Sequence, residues 1–175
     1  MPKTVKKRGH IPEDKLRQVA SSTGSLFYET LMLKETAARC VEPTDEGSLE
    51  IIVPYNMAIE CFLIHFRNLR EFLYPNAKVR RDSDNVIAFD YDSRWLKTEN
   101  DWKECSDNER SRINKLLAHI SYSRGELHPR WPTGRMRQCM MQRLAEFIVS
   151  LPPERQEWFE AWGLKKVMAA AESQA

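Results

Sequence analysis

Arg112 and His119 are the two residues whose types and spacing best suit chemistry. An α-helix turns about 100° and rises about 1.5 Å per residue, so positions seven apart lie within about 20° of each other and roughly 10 Å apart along the axis. A helix here would place both on one stripe. A guanidinium presents a planar fork of donors matched to phosphate or carboxylate. An imidazole, with an ordinary pKa of about 6.5, is available in both protonation states near neutrality. Ile113, Leu116, Leu117 and Ile120 centre about 90° away, which sets the stripe at the rim of the buried face rather than inside it. A rim position suits a cleft or a subunit interface.

A second cluster is formed by His65, Arg67 and Asn68 on a strongly apolar segment. His65 and Asn68 are neighbours at helical i, i+3 spacing, and polar groups on an apolar face need partners. Asn114, His119, Tyr122 or Arg124 would supply them if the two helices pack together, making a hydrogen-bonded lock between core helices. Trp131, beside Arg130, Arg135 and Arg137, has the makings of a base-stacking platform, or of a cap over the core at the start of a helix. No glycine-rich phosphate loop is present, and His10, His65, His119 and His128 are dispersed without metal-ligand spacing. Neither a cofactor nor a metal is expected.

The run from Arg112 through Ile-Asn-Lys-Leu-Leu-Ala to His119 resembles the R-x4-6-H pattern of the higher eukaryotes and prokaryotes nucleotide-binding (HEPN) superfamily, small helical domains often acting as ribonucleases. Members often have a polar residue directly after the arginine, where this chain has Ile113. A closer likeness is to small uncharacterised bacterial helical proteins. It rests on His65-Phe66-Arg67-Asn68-Leu69 with Phe72-Leu73-Tyr74, and on Asn114-Lys115 with Ala118-His119, Tyr122 and Arg124. The superfamily resemblance implies metal-independent RNA cleavage by attack of the 2′-hydroxyl on the adjacent phosphate. His119 would move the proton and Arg112 would stabilise charge on the phosphoryl oxygens. Asn114, Lys115, Tyr122, Arg124, Arg130 and Arg135 would contact the RNA. One helix separates Arg112 from His119 too widely for both to act on one phosphate, so a homodimer is implied.

The elements that must position these residues read as helices. Pro12 suits a first turn, and apolar residues recur at three- and four-residue steps to about Cys40, with a break expected at Gly24. Ile51 to Tyr55 reads as a short extended lead-in, with Asn56 capping a helix that Pro75 and Asn76 stop. Ala58, Cys61, Phe62, His65, Leu69, Phe72 and Leu73 make its apolar face, widened by Ile59, Leu63, Ile64 and Phe66. Lys78 to Asp101 is expected to be a loop anchored by Trp95. Ser106 and Glu109 match a capping box for a helix to about Arg124, stopped by Gly125. Thr133 would cap another, with Met136, Met140, Leu144, Phe147, Ile148 and Leu151 as its stripe and Pro152 as its end. A last amphipathic helix would hold Trp158, Phe159 and Trp162. The expected fold is all-α, a bundle of about five helices with an irregular segment between the second and third main ones. Residues 1–10 read as a basic flexible arm, 11–165 as a single helical domain, and 166–175 as a frayed tail.

Composition agrees with a globular fold: 42% of the 175 residues are hydrophobic and 30% charged, without the charge imbalance of a disordered chain. Charge is divided unevenly. Asp82 to Glu109 holds nine acids against three bases, a net −6, and Arg110 to Arg143 holds eight bases against one acid, a net +7, seven of the eight being Arg. The two blocks would either neutralise each other across the surface or dock a charged partner such as RNA. No run is long and apolar enough for a membrane span, and the start lacks a signal-peptide pattern, so a cytoplasmic protein without membrane contact is expected. Cys40, Cys61, Cys105 and Cys139 are widely spaced and read as reduced thiols. Two alternatives to an RNA-directed factor remain: a non-catalytic helical interaction module, and an enzyme with a small-molecule pocket between the helices of His65 and His119.

Overall fold

A computed structural model describes residues 9–40, 49–78, 84–118 and 131–162. It is all-α, with no strand among the described residues. The helices are α1 (Glu13–Ala20), α2 (Ser25–Arg39), α3 (Leu49–Leu73), α4 (Ala88–Tyr91), α5 (Glu109–Ala118), α6 (Thr133–Ser150) and α7 (Pro153–Gln156). Five of them are long enough to be the main helices, and the irregular segment falls between α3 and α5 as expected. The terminal arm and tail lie outside the described residues, apart from His10 and its neighbour Gly9.

The break at Gly24 has a steric cause. A Cβ there would stand 2.2 Å from the carbonyl oxygens of both Gln18 and Val19, so only glycine lets the chain double back from α1 into α2. Helix α3 is the centre of the bundle and packs against α2, α4, α5 and α6. Phe62, Leu63, Phe66, Leu69 and Leu73 on α3 are fully buried, as are Met136, Met140, Leu144 and Phe147 on α6. Aromatic edges meet around Phe147, with ring centroids 5.2 Å from Trp95 and 5.3 Å from Phe72.

Four local expectations are corrected. Helix α3 begins at Leu49, so the Ile51–Tyr55 stretch is helical and Asn56 is an exposed interior residue, not a cap. Pro54 is accommodated early in α3, where its missing N–H removes one intrahelical bond without ending the helix. Ile64 is 45% exposed, outside the apolar face assigned to it. Between α3 and α5 the chain is not wholly loop: Ala88–Tyr91 makes one helical turn, closed by the Asp90 carboxylate accepting from the Ile87 N–H at 2.8 Å. The last segment is short α7 followed by a 3-10 turn over Glu157–Trp162, because consecutive Pro152 and Pro153 restart the chain after α6. Trp95 is the anchor expected of it, buried and donating its indole N–H to the Leu73 carbonyl at 2.9 Å. No helix among the described residues is long and apolar enough to cross a membrane.

Candidate functional site

Helix α5 is set by one buried carboxylate. Glu109 is fully buried and accepts from the Cys105 N–H at 2.8 Å, the Ser106 N–H at 3.1 Å and the Trp102 indole at 2.7 Å. This is the reach-back half of the expected capping box. The other half is absent: among the described residues Ser106 Oγ has no hydrogen-bond partner, and the helix starts at Glu109 after Asn108 turns through the left-handed region at φ 52°. Burial raises the Glu109 pKa above the ordinary glutamate value, against the opposing pull of its three donors and of Arg70. Arg70 itself is buried on α3, and its Nη1 has no partner among the described residues.

Arg112 lies at the rim of the core, half-buried, as its position relative to fully buried Ile113 requires. Its guanidinium carbon sits 4.1 Å from the centroid of the Trp131 ring, and Nη1 points at the Asp107 carbonyl at 3.4 Å. Trp131 is 8% exposed, so it caps the core under Arg112 and is no open platform for a base. Asn114, Lys115 and Arg135 are exposed. His119, Tyr122, Arg124 and Arg130 lie outside the described residues.

Three half-buried arginines of the basic block, Arg110, Arg112 and Arg143, are engaged within the fold, whereas Lys115, Arg135 and Arg137 are exposed. Besides Arg112 over Trp131, Arg143 stands 5.1 Å over Trp102 and 5.9 Å over Tyr74. Arg110 pairs with Glu99, joining the basic block to the acidic one. Sequence reasoning did not foresee these aromatic seats, because each tryptophan comes from a distant part of the chain.

The second cluster is drawn together around a residue that sequence reasoning missed. Glu29 on α2 accepts from Asn68 Nδ2 at 3.1 Å, and its same oxygen lies 2.7 Å from His65 Nδ1. Tyr28 meets the His65 ring edge-on at 5.6 Å. The lock between core helices therefore joins α3 to α2, and among the described residues it does not involve the expected Asn114. Glu29 had no local signal, since its partners lie 36 and 39 positions away. Arg67 pairs with Glu71 one turn on, at 3.3 Å. Arg67 and Asn68 also line a cleft of about 360 Å³ between α3 and α5, with Glu60, Ile64, Leu116 and Leu117.

The cysteines depart from expectation. Cys105, before α5, and Cys139, on α6, form a disulfide, their Cα atoms 6.0 Å apart; Cys40 and Cys61 are free. No C-x-x-C spacing announced the pair, because only the packing of the pre-α5 loop on α6 brings the two together. No group of three metal-ligating side chains occurs among the described residues.

Fold and site together define an all-α bundle with a polar-rimmed cleft beside its central helix. No family model, curated protein or solved structure matches the chain.

Proposed function

We propose that the chain is a HEPN-like RNA-binding factor with metal-independent ribonuclease activity, working as a homodimer in bacterial defence or a toxin–antitoxin pair. The observation that supports this reading is the setting of Arg112 on the Trp131 ring. Stacking occupies the face of a guanidinium, whereas phosphate recognition uses its in-plane N–H groups, so the Trp131 seat fixes the plane in which Arg112 would meet a phosphate. His119, seven residues on, is the proton-transfer group of this reading, and a second subunit supplies the opposite pair. Purified protein incubated with RNA in EDTA tests it. Cleavage is expected to persist in EDTA and to fall by about 100-fold or more in His119→Ala. Undiminished cleavage by that variant rules out the assigned base.

A second reading, a non-catalytic interaction module, is favoured by one other observation. Val53, Met57 and Ile64 are exposed on α3, aligned within about 40° by helical geometry. Under this reading the wild type cleaves no RNA, and His119→Ala lowers only thermal stability.

A further inference from the structure

The Cys105–Cys139 disulfide closes a ring of chain with a sequence separation of 34. Arg112, Asn114, Lys115, His119, Tyr122, Arg124, Arg130 and Arg135, the whole of the α5 candidate set, lie inside that ring. Only the α3 cluster lies outside. Helix α6 grips the loop before α5 at two points one turn apart. Cys139 holds Cys105 covalently, and Arg143 covers Trp102 at 5.1 Å. The second grip, and the three hydrogen bonds to Glu109, do not depend on the sulfur–sulfur bond. Breaking that bond therefore frees one of two attachments and leaves the bundle core in place.

We infer that Cys105–Cys139 is a thiol-exchange site whose oxidation state sets how firmly α5 is held. Cys139 is half-buried and Cys105 is buried, so Cys139 is the sulfur open to attack. A dithiol reductant attacks Cys139 as thiolate, and the Cys105–Cys139 bond breaks with its electron pair passing to Cys105, which takes up a proton. The reductant's second thiolate then displaces Cys139, which is protonated in turn. The protein gains two electrons and two protons, and the dithiol becomes a disulfide. A disulfide that opens and closes in this way belongs to a redox-responsive protein rather than to a permanently stapled one. The role as a regulator of RNA cleavage rests on the proposed function; the exchange itself does not.

The test uses the full chain and a structural readout, so its failure is distinct from a failure of the RNA reading. Protein purified without reductant, then unfolded and alkylated, is expected to show two reactive thiols, Cys40 and Cys61, and four after dithiothreitol. Amide exchange over residues 109–118 is expected to accelerate on the order of 100-fold on reduction, with α3 and α6 protected. Cys105→Ser/Cys139→Ser should exchange at the reduced rate and ignore dithiothreitol. Four reactive thiols at the outset, unchanged exchange in α5, or loss of all helicity on reduction would each overturn the inference.

Discussion

Replacing Glu109 by alanine is expected to produce a large loss of stability, because three donors converge on this buried carboxylate. The Trp102 indole and the Cys105 and Ser106 N–H groups would be left without this acceptor, and buried Arg70 would lose the favourable charge of Glu109. Leaving a buried donor without an acceptor costs about 1–3 kcal/mol, and with three donors losing theirs together the loss is about 3–5 kcal/mol. For a chain of this size that lowers Tm by about 6–20 °C. Glu109→Gln separates the contributions. Its amide oxygen can serve the two backbone donors, but its NH₂ then faces the Trp102 indole N–H, a donor against a donor, for about 1–3 kcal/mol. The pH dependence follows from the raised pKa. The folded state holds the proton to higher pH than the unfolded chain, so this group's ionisation removes stability as pH rises from its ordinary value near 4.5 through the raised one. Thermal melts from pH 4 to 8, the range about and above that ordinary value, should show this slope in the wild type and its loss in Glu109→Gln. A Glu109→Ala melting point within about 2 °C of wild type would refute the account of Glu109 as the group that sets α5.

Two further outcomes are expected. Gly24→Ala should cost about 1–3 kcal/mol by forcing a Cβ into two carbonyl oxygens, seen as a lowered denaturant midpoint with an unchanged slope. In a double-mutant cycle, Glu29→Ala and His65→Ala should each cost roughly 1–3 kcal/mol and couple by at least about 0.5 kcal/mol; additive losses would mean that the 2.7 Å contact is not a lock.

What the sequence made legible was periodic or local. The stripe from Met136 to Leu151 is buried as its spacing requires, and Gly24 breaks the first helical stretch where a glycine stands. Position relative to Ile113 placed Arg112 at the core's rim. What was hidden depends on contacts across the fold. The Trp131 seat of Arg112, the Glu29 partner of His65 and the Cys105–Cys139 bond each join residues with no shared local pattern. The Ile51–Tyr55 stretch misled in the opposite sense: read as an extended lead-in, it lies with Pro54 inside the longest of the described helices.

The tie between Cys105 and Cys139 fixes where the intervening chain leaves and rejoins the bundle, but it is nearly indifferent to how long that chain is. Closure entropy grows only with the logarithm of length, so lengthening the 34-position span by roughly ten residues changes the closure term by about 0.2 kcal/mol. Insertions and deletions between α5 and α6 are thus thermodynamically cheap in this scaffold.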